Sequence, residues 1–298
     1  MNGILPLWKP KGMTSHDCVA RVRRLFQLKK VGHTGTLDPE AEGVLPICIG
    51  HATKMTPFLT DTDKTYITEV TLGTATETED SYGRTVEKKS VSKSPSQQEI
   101  ENVLQLFCGN ITQIAPMYSA VKVNGKKLYE YARDHESVQR PERQAVIHQL
   151  DMLETRQHAN RFWLKVVCSK GTYIRTLCVD IGEKLGYPAH MSALYRTGTG
   201  TILQENTVTF QDIEEAVKLN EQKQLLLPIS SCLAHMPRTT VDEQTQKRVY
   251  HGQKLTKPAQ LPESGPFLVM FNEQVIALYE IDQKNSHMIK PLRVFHDD

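Results

Sequence analysis

Gly32-His33-Thr34-Gly35-Thr36-Leu37-Asp38-Pro39-Glu40-Ala41-Glu42-Gly43 is the most unusual stretch of the chain. Its glycines permit a tight turn or the close approach of a ligand to the backbone. Asp38 precedes Pro39, and a residue before proline is pushed out of the α region. The carboxylate therefore projects from a stiff, non-helical backbone, which suits a positioned reactive group. Taken alone, an Asp-Pro pair in a polar loop is a turn, with Asp38 bonding its own backbone and His33 exposed. A carboxylate used as a nucleophile has to stay ionised, and a neighbouring arginine favours that state. Arg175 is the candidate, one turn into a helix that opens after Lys170-Gly171-Thr172, where the helix dipole is positive.

Outward from this loop the periodicities are readable. Thr14 or Ser15 caps a helix running to about Leu28, with Val19, Val22 and Leu25 or Phe26 on one stripe. Residues 65–73 alternate and are rich in β-branched types, as a strand should be. Glu87 to Ser96 is a polar linker; Ser96 and Glu99 then form a capping box for a helix that ends at Gly109. Residues 116–143 carry three tyrosines and six Lys/Arg without a long apolar period, which predicts a surface insertion. Strands are expected over about 145–154 and 161–169, a helix after Thr172, and another near 210–219. From Arg238 the texture changes to one short helix, 242–251, and three strand-like runs at 266–271, 275–281 and 288–294. That predicts domains at 1–236 and 237–298.

The chain has 298 residues, long enough for two domains, with 39% hydrophobic and 23% charged residues, so collagen-like, coiled-coil and wholly disordered readings are excluded. No apolar run approaches the roughly 20 residues of a membrane span, and the N-terminal run is broken at Pro6 and Lys9, so neither a membrane nor a secretory route is expected and the location expected is cytoplasmic. Six scattered cysteines without a C-x-x-C pair give no metal site and no disulfide framework. The net charge of +2 hides a local excess. Residues 1–36 hold seven Lys/Arg against Asp17 alone, a focus that can attract phosphate.

Five blocks in a fixed order carry a resemblance: Lys9-Pro10 with Gly12-Met13-Thr14-Ser15; the Gly32–Pro39 loop; Asp63-Lys64-Thr65-Tyr66; Met117-Tyr118-Ser119-Ala120 with Gly125 to Ala132; and Ser169-Lys170-Gly171-Thr172-Tyr173-Ile174-Arg175. The set resembles the bacterial tRNA pseudouridine-55 synthases. The resemblance implies an α/β (α+β) protein whose mixed, mainly antiparallel central sheet is flanked by helices, followed by a small β-rich PUA-like module. It implies an isomerase that everts a uridine in the T arm of tRNA, cleaves its glycosidic bond through Asp38 and rejoins the base through C5. Tyr66 would stack on the base and Arg175 would pair with Asp38. His33, Tyr173, Leu194, Lys9 and Lys64 would contact the RNA or line the pocket. No metal, cofactor or protein partner is implied; the expected partner of a monomeric enzyme is tRNA, gripped at the T arm by the 116–143 insertion and at the acceptor end by the last module.

Two positions depart from the pattern: Trp8 stands where an acidic residue is common, and Tyr195-Arg196 follows Leu194 where two arginines are common, which removes one expected phosphate contact. Three other readings compete. An RNA-guided relative would lack the 116–143 insertion; a non-catalytic RNA-binding protein would not need Asp38; a sugar hydrolase would need a second carboxylate, for which Glu40 or Glu42 are available.

Overall fold

Nine strands build the main sheet of the computed structural model: β1 (Gly3–Lys9), β2 (Val31–His33), β3 (Glu42–Ile49), β4 (Lys64–Leu72), β5 (Gly109–Ile114), β6 (Glu142–His158), β7 (Arg161–Cys168), β8 (Ala189–Thr199) and β9 (Ile202–Leu203). The structure describes residues 1–158 and 160–296; residues 297 and 298, the end of the expected C-terminal module, lie outside it. The strand order is β1-β3-β8-β4-β7-β6-β5, with β2 on β3 and β9 on β8. Only β3 and β8 run parallel; the other pairs are antiparallel. The sheet is therefore mixed and mainly antiparallel, as the sequence resemblance implied.

Helices flank it where the sequence stripes predict them. In α1 (Ser15–Phe26), Thr14 accepts from the Asp17 amide while the Asp17 carboxylate accepts from the Thr14 amide, so two orphan donors of the first turn are satisfied reciprocally. Its stripe of Cys18, Val19, Val22 and Phe26 packs with Leu5, Leu7, Leu45 and Ile47. The same Ser-x-x-Glu chemistry starts α2 (Gln97–Gln105) at Ser96. After the short α3 (Leu128–Arg133), α4 (Ile174–Lys184) packs Leu177, Cys178 and Ile181 against Val70, Leu72, Leu164 and Val166. Thr209 caps α5 (Phe210–Lys218).

The central strand β8 has no clear signature in the sequence. It is buried along most of both faces, and the register shifts between Met191 and Ala193 and between Arg196 and Gly198 break its two-residue period. β1 and β3 are also buried on both faces, so they show continuous apolar runs rather than alternation. Where β3 meets β8 the backbones nearly touch. A Cβ on Gly43, whose φ is +129°, would stand 2.2 Å from the Arg196 carbonyl oxygen.

Beyond Met236, β10 (Arg238–Thr240), α6 (Glu243–Tyr250), β11 (Leu255–Thr256), β12 (Pro266–Phe271), β13 (Gln274–Asp282) and β14 (Asn285–Val294) form a second sheet ordered β10-β12-β13-β14-β11. It has its own core around Val249, Phe267, Val269 and Tyr279. A further cluster joins it to the body: Leu268, Met270, Leu278 and Phe295 pack with Ile4, Val44, Cys48, Met55 and Leu59. The module is thus fixed to β1, to β3, which leads out of the Gly32–Gly43 loop, and to the segment that follows β3.

Gly43→Ala should cost at least about 2 kcal/mol, because an inserted methyl meets backbone that cannot move aside. Urea denaturation measures this, and an unchanged midpoint would show that the β3–β8 approach is not constrained.

Candidate active site

The loop that carries Asp38 is held from beneath by side chains of the N-terminal segment. The Ser15 hydroxyl accepts from the Leu37 amide at 2.9 Å and donates to the Leu37 carbonyl at 3.2 Å. The Lys9 ammonium, fully buried, donates to the carbonyls of Pro10, Pro39 and Ala41 at 2.9, 2.9 and 2.7 Å. Burial lowers its pKa from the ordinary lysine value, while Glu40, Glu42 and Asp38 nearby oppose that shift. Gly12 donates to the Pro39 carbonyl and Ala41 to that of Asp38. These bonds fix the backbone on both sides of Asp38, so the carboxylate has a defined direction.

Arg175 meets it as a fork. Its Nε lies 3.0 Å from Asp38 Oδ2 and one terminal nitrogen 3.4 Å from Oδ1. The guanidinium also donates to the Thr78 and Tyr118 carbonyls, each at 3.0 Å. The Arg175 side chain is 7% exposed and that of Asp38 38%, so the cation is clamped inside while the anion faces the cleft. Behind Arg175 stands Glu79, left-handed at φ 64°, accepting from the Thr176 hydroxyl at 2.7 Å; burial raises its pKa. The Tyr173 backbone, just before α4, is locked by Gln113: the Tyr173 amide donates to Oε1 and Nε2 donates to the Tyr173 carbonyl, both at 3.0 Å.

A cleft of about 830 Å³ opens over this pair. Asp38, Tyr66, Lys64, Tyr173, Arg175 and Leu194 all line it. Leu194 also belongs to the core cluster of Leu37 and Ile174, so it is at once part of the core and part of the cleft wall. Burial raises the Tyr66 phenol above the usual tyrosine value. Tyr118, Ser119, Ala120, Val121, Lys122, Tyr129 and Arg133 cover one side, so the 116–143 insertion forms a wall of the cleft. Leu128 within it is fully buried.

Two expected contacts are placed elsewhere. Lys9 does not line the cleft; it holds the loop carbonyls, and its side chain is sealed from a ligand. His33 ends β2 against the Gly35 backbone, outside the lining, where burial lowers its pKa. The basic focus of residues 1–36 is likewise partly structural. Arg21 pairs with Glu214 at 2.6 Å and lies over Phe210, and Arg23 donates to the Val31 carbonyl. The cations that line the cleft are instead Lys64, Lys122, Arg133, Arg143, Lys170, Arg175 and Arg196. Gln113 is not among the residues the sequence points to, and Arg196 stands there only among the expected phosphate contacts. Gln113 gave a signal, since it stands in the buried register of an otherwise exposed strand.

Lys64 gives the site a titration. Its ammonium donates to the Thr60 and Thr62 carbonyls, and burial, with Arg196 nearby, lowers its pKa to about 8. Below that pH both folded and unfolded chains hold the proton and the burial penalty is present in full. Above it the folded protein releases the proton while the unfolded chain keeps it to 10.5, so stability rises with pH. Between pH 7 and 9.5, wild type should gain about 2 kcal/mol of urea stability relative to Lys64→Met. A difference that does not change with pH would contradict this.

Comparison with known proteins places the chain. Residues 23–174 match the model of the TruB family pseudouridylate synthase N-terminal domain, and residues 175–234 that of the tRNA pseudouridylate synthase B C-terminal domain. It is 57% identical to the tRNA pseudouridine synthase B of Oceanobacillus iheyensis, covering 99% of this chain and 98% of that one. The protein of that name from Geobacillus thermodenitrificans is 49% identical over 99% of this chain and 100% of the relative. Among solved structures, a Cbf5-Nop10-Gar1 complex matches with a TM-score of 0.75 and 26% identity, covering 99% of this chain and 84% of that one. A chain of an H/ACA ribonucleoprotein bound to a substrate RNA containing 2'-deoxyuridine shares the fold, with a TM-score of 0.76, 24% identity and coverage of 99% and 85%. With the family model matching half of its length and curated relatives matching nearly all of it, the chain belongs to the TruB family of pseudouridylate synthases.

Proposed function

We propose that this protein isomerises uridine 55 in the T arm of tRNA to pseudouridine, with Asp38 as the catalytic carboxylate. The observation that carries the proposal is the Asp38–Arg175 fork on the floor of a cleft that also presents Tyr66 and Leu194. The curated relatives named tRNA pseudouridine synthase B support tRNA as the substrate.

A uridine stacked in a folded RNA loop is out of reach, so it has to be everted at a cost of a few kcal/mol. Stacking on an aromatic ring returns about 1–3 kcal/mol per base, which is the role of Tyr66 with Leu194 on the apolar side. The lining cations supply the phosphate contacts, from Lys122, Arg133 and Arg143 on or beside the insertion and from Lys170 at the start of the α4 segment. Lys64 and Tyr173 border the target nucleotide, and His33 meets the RNA at the outer edge of the loop. Asp38, held in the fork of the clamped guanidinium, acts on the target nucleoside. The bond from C1′ to N1 breaks, the uracil turns, and a bond from C1′ to C5 forms. The C5 proton leaves and N1 gains one, so the product is an isomer of the substrate.

The protein works in the cytoplasm as a monomer without a guide RNA or protein partner. Its catalytic part spans residues 1–236, and residues 237–298 hold the acceptor end of the tRNA.

The test is an unmodified tRNA transcript incubated with purified protein alone, followed by pseudouridine mapping. Wild type should modify position 55 and no other, and Asp38→Asn should lose at least 10³-fold in rate with RNA affinity within about threefold. Modification that needs added RNA or protein would favour an RNA-guided enzyme, and full activity of Asp38→Asn would remove the carboxylate from the chemistry. Affinity should also fall at least tenfold between about 50 and 200 mM salt if the lining cations meet phosphates; a flat response would contradict those contacts.

A further inference from the structure

Arg196 is 1% exposed and is the largest of the fully buried side chains. A guanidinium stays protonated inside a protein, and an uncompensated buried charge is costly. Among the described residues no carboxylate pairs with it. Compensation comes from main-chain carbonyls: its Nε donates to Val44 at 2.8 Å, and the two terminal nitrogens reach Thr36 and Gly35, each at 3.4 Å. Those three carbonyls use three of five N–H donors. They also fix the plane of the fork, because Val44 lies in β3 while Gly35 and Thr36 lie in the loop that carries Asp38.

Arg196 lines the cleft, and the strand register sets it opposite Tyr66 on the neighbouring strand. In that register the guanidinium stands near enough to the Tyr66 phenol to oppose the burial that raises its pKa. A phenol oxygen that accepts from a fixed cation loses its free rotation, and its own proton is directed away from the donor.

We infer that Arg196 is a positioning residue for Tyr66: held by the Val44, Thr36 and Gly35 carbonyls, it fixes the tyrosine ring and aims its hydroxyl proton into the cleft, toward the everted pyrimidine. It acts through the tyrosine and makes no phosphate contact of its own. The inference rests on the proposed uridine isomerisation for its consequence and on the free protein for its geometry.

Two measurements test it. In the first, single-turnover rates at saturating tRNA transcript are compared for wild type, Arg196→Lys, Tyr66→Phe and the double variant. Arg196→Lys should slow the step at least tenfold with RNA affinity within threefold, and should add less than twofold once Tyr66 is already phenylalanine. An equal loss in both backgrounds, or lost affinity with the saturated rate kept, would overturn the inference. The second needs no RNA: in protein labelled with ¹³C at the tyrosine Cζ, the Tyr66 signal, assigned from Tyr66→Phe, should shift in Arg196→Lys while the other tyrosines hold. An unchanged Tyr66 signal would overturn it even in a protein that modifies no RNA. Arg196→Gln, which keeps a planar donor, serves if the lysine variant does not fold, with the same outcomes expected.

Discussion

Everything in the cleft depends on one buried cation held in place by oxygen atoms. Arg175 spends its donors on the Asp38 carboxylate and on the carbonyls of Thr78 and Tyr118, which come from three separate segments. A charge-assisted fork of this kind is stronger and more directional than a neutral hydrogen bond. It needs α4 to start where it does, and the Gln113 clamp on the Tyr173 backbone secures that start. It also needs the segment around Thr78 and the 116–143 insertion to bring their carbonyls to one point. The fold is in this sense a frame for a single ion pair.

A second layer works on the same plan without a carboxylate in the clamp. Lys9, Lys64 and Arg196 are cations buried against carbonyl groups, each at an edge of the loop or cleft. Their hydrogen bonds go to carbonyl dipoles rather than to acids, and the seven Lys/Arg that line the cleft face one lining carboxylate, Asp38. Such an arrangement leaves net positive potential for a phosphate-rich ligand in a molecule whose formal charge is only +2.

Much of this was legible in the sequence, and the misses share a cause. Capping boxes and helical stripes are local, so α1, α2, α4 and the C-terminal module were readable to within a few residues. The Asp38–Arg175 pair was readable because both residues sit in unusual local settings, an Asp-Pro loop and a helix start. Strand β8 was not, because burial on both faces and two register shifts erase its alternation. Lys9 is an expected RNA contact on the resemblance and on the basic character of its segment. Only the tertiary structure turns its ammonium inward onto Pro39 and Ala41, and the same is true of Arg21 turning to Glu214. Net local charge says that cations are present; which of them face a ligand is decided by long-range packing.

The central claim is that the carboxylate beside Arg175 meets an everted uridine. A crystal structure of Asp38→Asn with a bound T-arm RNA tests this most directly. The target pyrimidine should lie out of the RNA stack between Tyr66 and Leu194, with the side-chain amide at position 38 within about 4 Å of the ribose C1′ or the base. An RNA bound with that uridine still stacked in its own loop, and the cleft above Arg175 empty, would contradict the account.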